Sequence, residues 1–192
     1  MKLVSLFILL APLVCDAAPS AAHTHNIDLS KEETSVEFLA TVKPGSLHIN
    51  GTGAKLNGTI TIGEKTLDAD IIAHLNELQT GISMRDRHMK EKFLEVEKYP
   101  DAELKIVDMP LSENPVKSAV NLKAVPFKGT LRLHGVDHPV TGTADVDSSG
   151  PAIVVEVKTS TSITAHKIEK PSYLGVRVED DVEITAHMKL KK

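Results

Sequence analysis

The amino-acid sequence predicts an all-β fold, a sandwich or a barrel built from short strands. Most of the chain past residue 34 alternates apolar and polar side chains with period two, the mark of half-buried strands. Turn signals such as Ser148-Ser149-Gly150-Pro151 separate the alternating stretches at regular spacing. Glycines stand inside those stretches, at Gly58, Gly129 and Gly142, where a barrel wall needs bulges or tight bends.

In chain order, Val36, Phe38, Ala40 and Val42 alternate against Ser35, Glu37 and Thr41. Leu56, Gly58, Ile60 and Ile62 follow the same rule, and so do Leu67, Ala69, Ile71, Ala73 and Leu75. Further strands are predicted around Ala102, Leu104 and Ile106, around Val120 to Ala124, and from Phe127 to Leu133. The turn His134 to His138 leads back through Val140, Gly142, Ala144 and Val146. Ile153, Val155 and Val157 form another strand, and Val182 to Leu190 closes the chain. One segment breaks the pattern. Ser83 to Glu97 is charged, lacks proline and glycine, and places Met89, Phe93 and Val96 at helical spacing. Ser83 and Asp86 resemble a capping box, Asp86 and Lys90 stand four apart, and Pro100 stops the chain soon after. A single helix of a few turns, inserted between strands, is expected there.

The N-terminus reads as a secretory signal peptide over residues 1–22. Lys2 is followed by an apolar run from Leu3 to Val14, then by small residues at Ala17, Ala18, Ala21 and Ala22. The run is shorter than the roughly 20 residues that span a bilayer. Cleavage between residues 17 and 22 leaves 23–192 as one domain, periplasmic or secreted. Cys15, the one cysteine, lies inside the export segment, so disulfides are not expected to hold the mature fold. The formal net charge of −4, the absence of tryptophan and the scarcity of aromatic residues argue against nucleic-acid binding.

Catalytic signatures are sparse. The chain has no Gly-x-Ser-x-Gly nucleophile elbow and no His-Glu-x-x-His pair, and its nine histidines show no metal-ligand spacing. Neither a metal nor a cofactor is expected. Asn50-Gly51-Thr52-Gly53 is glycine-rich, but no helix follows it, so it reads as a turn rather than a phosphate loop. The densest polar cluster is Arg85-Asp86-Arg87-His88, which suits either a ligand's polar head at a cavity mouth or plain helix capping with solvated charge. His134 and His138 flank a hairpin turn and could face each other, but no carboxylate or cysteine stands at a telling interval, and each histidine reads as an exposed or core-satisfied ring.

Several stretches together resemble the YceI-like family. Thr80-Gly81 through Arg85-Asp86-Arg87-His88-Met89-Lys90 is similar to its Thr-Gly…Arg-Asp-x-His-(Leu/Met)-Lys element. Phe93-Leu94-Glu95 with Tyr99-Pro100, and Gly129-Thr130-Leu131-Arg132-Leu133-His134-Gly135-Val136 with Pro139-Val140, resemble two further elements in the same order. Tyr173 to Val176 and Asp181 to Ile184 resemble the closing segment. Two places depart from the pattern: a histidine often found near the family's N-terminus is unmatched, and Leu56 stands where an aromatic is usual.

The resemblance implies an eight-stranded antiparallel lipocalin-like barrel with one short helical insertion. It also implies an exported carrier, without catalysis, of a long apolar or amphipathic lipid such as a polyisoprenoid. The period-two phase then nominates Phe38, Ile60, Ile71, Leu104 and Leu131 as cavity lining, and Arg85, Asp86 and His88 as contacts for the lipid's head group. Contact with a membrane surface and a dimeric state both fit such a carrier. The alternative is a hydrolase or other acid–base enzyme acting on a small or lipid substrate through Asp86 and His88. A third reading makes the barrel a scaffold for surface attachment or stress response. Intact-mass measurement of exported protein is expected to give a thiol-free chain beginning between Ala18 and His23; retained Cys15 would overturn the export reading.

Overall fold

The computed structural model describes residues 24–45, 47–173 and 175–192; the expected signal peptide lies outside them. Strands β1 (His25–Asp28), β2 (Glu33–Lys43), β3 (Leu47–Ala54), β4 (Leu56–Ile62) and β5 (Thr66–His74) precede the helical segment. After it come β6 (Asp101–Pro110), β7 (Asn121–Leu133), β8 (Val136–Asp147) and β9 (Ala152–Ser162). The two-residue β10 (Ser172–Tyr173) and the long β11 (Val176–Lys191) complete the chain. All pairings are antiparallel, in the order β1-β4-β5-β6-β7-β8-β9-β11-β2-β3, with β10 on β11.

This order encodes a closed curl. β3 ends one side of the sheet and β4 lies near the other, yet only Lys55 separates them in the chain. β3 and β4 are therefore one strand bent at Lys55, which carries the sheet round onto itself. The Thr34 hydroxyl oxygen accepts the Leu56 N–H at 2.9 Å and faces the Leu56 carbonyl at 3.4 Å. The Glu77 carboxylate accepts the Lys55 N–H at 3.0 Å. Counted this way, the barrel-like sheet has the eight long strands expected, plus the short β1 and β10.

The period-two reading located the strands, because alternation records which face is buried. Val36, Ala40 and Val42 of β2, Ile60 and Ile62 of β4, and Ala186, Met188 and Leu190 of β11 all enter the core. Leu29, Leu56, Ile62, Ile153 and Leu190 are fully buried, each contributing about 1.5–3 kcal/mol of transfer free energy. Antiparallel alternation puts the β2–β3, β5–β6 and β7–β8 connections and the approach to β11 at one end, here called upper. The β4–β5, β6–β7 and β8–β9 connections lie at the lower end.

Two local expectations are corrected. Asn50-Gly51-Thr52-Gly53 is not a turn but part of β3. Gly51 is opposite Phe38, whose ring stands 1.9 Å from where a Cβ would be, so glycine here makes room for the aromatic. Gly53 takes φ +118°, a backbone that other residues adopt poorly. The insertion is also shorter and less regular than a few-turn α-helix over 83–97. Helix α1 spans Ser83–His88 and widens into a π-turn over Met89–Phe93. Ser83 is its first helical residue rather than its cap: Ile82 occupies the cap position with no side-chain bond. Asp86 reaches back to Thr80 instead.

Phe127 repeats the ring-over-glycine device. Its ring lies 2.6 Å from the Cβ position of Gly142, which also faces the Lys158 carbonyl oxygen at 2.2 Å. Gly142→Ala is expected to lower stability by about 1–3 kcal/mol in chemical denaturation, because backbone must move to admit the methyl. Gly150→Ala, with nothing within 4 Å of its Cβ position, should stay within about 0.5 kcal/mol of the parent.

Candidate functional site

The interior encloses a cavity of about 20 Å³ in the lower half of the barrel. Ile60, Ile71, Met109, Val146, Val157 and Met188 are among its walls, and every wall residue is apolar. That volume admits about one water molecule; a lipid tail requires far more. Of the five side chains predicted to line a tunnel, Ile60 and Ile71 face this cavity. Leu131 is buried in the core, and Phe38 and Leu104 are half-buried against it. All five lie on the inward phase and pack with their neighbours.

The helical segment supplies the rest of the packing at the upper end. Met89, Phe93, Leu94 and Val96 are half-buried and rest on the core. Both ends of the segment are tied down. The Leu75 N–H donates to the Pro100 carbonyl at 2.9 Å, and Thr52 and Gln79 exchange two backbone bonds at 2.8 Å. Exposed large hydrophobics gather at this end: Leu47 on the β2–β3 hairpin, Ile82 and Met84 at the start of the segment, and Val176 at the start of β11.

Arg85 and Asp86, predicted as head-group contacts, come together on Thr80. The Arg85 guanidinium donates from Nε to the Thr80 hydroxyl and from Nη2 to the Thr80 carbonyl, both at 2.7 Å. Asp86 Oδ1 accepts the Thr80 N–H at 2.7 Å and its hydroxyl as well. The Thr80 hydroxyl bond, ahead of the other influences, holds the Asp86 carboxyl below the usual carboxylate range. Lys90 donates to the Asn76 carbonyl at 2.6 Å. His88 is exposed on the far end of α1. The motif therefore works first as a lock on the entry to α1, with His88, Arg87 and the remaining edge of Arg85 left outward.

A second polar group at the upper end escaped the sequence reading. His134 and His138, which flank the hairpin turn, do not face each other. The His134 ring meets Tyr99 at 4.4 Å, and the His138 ring meets His166 edge-on at 5.7 Å. His166 is completely buried between β8 and β9. Its Nδ1 lies 3.0 Å from the Val136 carbonyl, which can only accept, so Nδ1 carries the proton. Nε2 then accepts the Thr161 hydroxyl at 2.9 Å. Burial pushes this imidazole below its ordinary value and keeps it neutral. His134 Nε2 lies 2.6 Å from the Glu95 carboxylate, and its Nδ1 3.2 Å from the His166 carbonyl. The one sequence signal for this group was the His134-Gly135 dipeptide at a hairpin tip, where Asn-Gly is the usual choice. Among the described residues, no group of three His, Cys, Asp or Glu side chains is placed to hold a metal ion.

Solved structures with this fold include a polyisoprenoid binding domain from Saccharophagus degradans, at TM-score 0.62 and 14% identity over 88% of this chain and 98% of that one. Burkholderia cenocepacia BcnA aligns at TM-score 0.65 and 16% identity, over 86% of this chain and 99% of its own. A Campylobacter jejuni YceI protein aligns at TM-score 0.58 and 16% identity, over 75% and 85%. No curated protein sequence matches the chain. Residues 27–190 match the YceI-like domain, and with almost all of the described chain covered, this protein belongs to the YceI-like family.

Proposed function

We propose that this chain is an exported, non-catalytic carrier that holds a long apolar or amphipathic lipid, of polyisoprenoid type, inside its barrel. The observation that carries the reading is the wholly apolar wall of the inner cavity. Such a wall offers a ligand no polar anchor and no reactive group, and it gains about 0.8 kcal/mol for each methylene buried. The polyisoprenoid-binding domain with the same fold supports the ligand class.

In this reading the lipid chain enters past the helical segment at the upper end and displaces side chains to lodge between the strands. Phe38, Ile60, Ile71, Leu104 and Leu131 become its lining. Arg85 and His88 offer a cation and a hydrogen-bonding ring to a polar head left at the mouth. Asp86 contributes by orienting Arg85 through their shared Thr80. The enzyme alternative draws less support. Asp86 is held ionised and bonded to Thr80, which ill suits a carboxyl meant to exchange protons. The signal-like N-terminus supports delivery to the periplasm or beyond, where a carrier of this kind exchanges lipid with membrane surfaces.

Native mass spectrometry of exported protein, alone and after incubation with a long-chain polyprenol, tests the reading. Wild type is expected to retain the polyprenol. Ile71→Trp adds more volume than the small cavity holds, so it should cost about 1–3 kcal/mol and lose the lipid. A wild type that never retains polyprenol, co-purified or added, overturns the carrier.

A further inference from the structure

The two histidines at the upper end face different sets of partners. Neutral His166 satisfies one acceptor and one donor. His134 faces two acceptors: the Glu95 carboxylate at Nε2 and the His166 carbonyl at Nδ1. A neutral imidazole has one N–H and can satisfy only one of them. The observed arrangement therefore suits the doubly protonated cation, paired with Glu95 and largely shielded from water, its side chain 11% exposed.

The backbone on both sides of this pair is unusual. Glu95 takes φ +45° and His134 φ +52°, both in the left-handed region that costs non-glycine residues free energy. His134 and Gly135 are the two central residues of the β7–β8 turn, both with positive φ. Asparagine serves that turn position best; histidine adds a ring that reaches the helical segment. Among the described residues, two side-chain hydrogen bonds tie residues 80–99 to their surroundings: His134 to Glu95 from the β7–β8 turn, and Lys90 to the Asn76 carbonyl beside the pinned end. The backbone bonds within 80–99, from Asp86 to Ile82 through Tyr99 to Glu95, are internal to the segment. Its apolar side chains Met89, Phe93, Leu94 and Val96 meanwhile occupy the upper end of the core.

We propose that residues 80–99 form a gate over the upper end of the barrel, and that the doubly protonated His134 latches it shut through Glu95. What passes the gate rests on the lipid-carrier reading; the latch stands on the geometry alone. Loss of one proton from His134 leaves a ring nitrogen lone pair against an acceptor, and the segment lifts about its pinned ends near Leu75 and Pro100. The closed form holds one more proton than the open form, so opening grows as pH rises. The groups facing His134 are Glu95 and Tyr99 from the segment, with the Lys98 ammonium 4.8 Å from the Tyr99 ring. His166 approaches from the turn after β9, and His138 of β8 lies behind it. Arg132 and Asp137, 3.9 Å apart at the base of the hairpin, offset each other.

The test follows amide exchange of residues 84–99 in the mature protein, corrected for intrinsic rates, together with uptake of the apolar fluorophore N-phenyl-1-naphthylamine. Both are measured from about pH 5.5 to about pH 8, the range over which imidazole ordinarily loses its charge. In wild type, exchange of 84–99 and the uptake rate should rise together with pH, by at most about tenfold per pH unit for one proton released. Exchange of β8 and β9 should stay level. His134→Asn keeps a residue suited to the turn and should give fast exchange and uptake at every pH. Glu95→Ala, away from the hairpin, should do the same. Protection of 84–99 that does not vary with pH, or a His134→Asn protein with wild-type pH dependence, overturns the latch. Uptake that ignores the exchange of 84–99 overturns the gate. A pH-dependent segment in a protein that takes up neither the fluorophore nor polyprenol keeps the latch and overturns the carrier.

Discussion

Lys55 stands between two strands at opposite sides of the sheet order, and the architecture depends on the bend made there. Because β3 runs straight into β4, the strand that borders β2 also borders β5, and the sheet must curl. Curling turns one face of every strand inward and removes most of the free edge, which would otherwise offer unpaired backbone to other chains. The bend interrupts the ladder, and the exposed backbone groups find side chains instead. Thr34 serves Leu56, and Glu77 serves Lys55. Glu77 lies in the turn Leu75–Glu77 that leads from β5 into the segment, so the same carboxylate that completes the corner also fixes the approach to the insertion.

Once the sheet is closed, the size of its interior is set by the side chains that fill it. Phe38 and Phe127 lie over Gly51 and Gly142, spending the space that two glycines release. With branched aliphatic residues below and Met89, Phe93 and Leu94 above, the cavity described among these side chains is about 20 Å³. A barrel packed this tightly can admit a chain-like ligand only by exchanging protein side chains for ligand methylenes. The side chains easiest to displace are half-buried and carried on a segment with few ties to the strands. On the proposed carrier reading, ligand access turns on the helical segment more than on any single wall residue.

The strands were legible in the sequence because alternation is local: each inward side chain sits two residues from the next, whatever its distant partners. Val36 to Val42, Leu67 to Ala73 and Val182 to Leu190 could be placed from spacing alone, and ordered motifs identified the family. The chemical character of the cavity wall was legible for the same reason. Tertiary structure decided what depends on groups far apart in the chain. Gly51 and Gly53 looked like a turn because a glycine pair carries no record of the Phe38 ring packed on one or of the backbone angle of the other. Ser83 looked like a cap because the motif does not show that Thr80 captures Asp86. His134 and Glu95 are 39 residues apart, and nothing in either neighbourhood announces that a hairpin tip and a helix end will meet. Sequence by itself determined which faces are buried, since burial leaves a periodic trace. Only the folded chain decided how full the interior is and which charges close over it, since volume and pairing arise between elements and leave none.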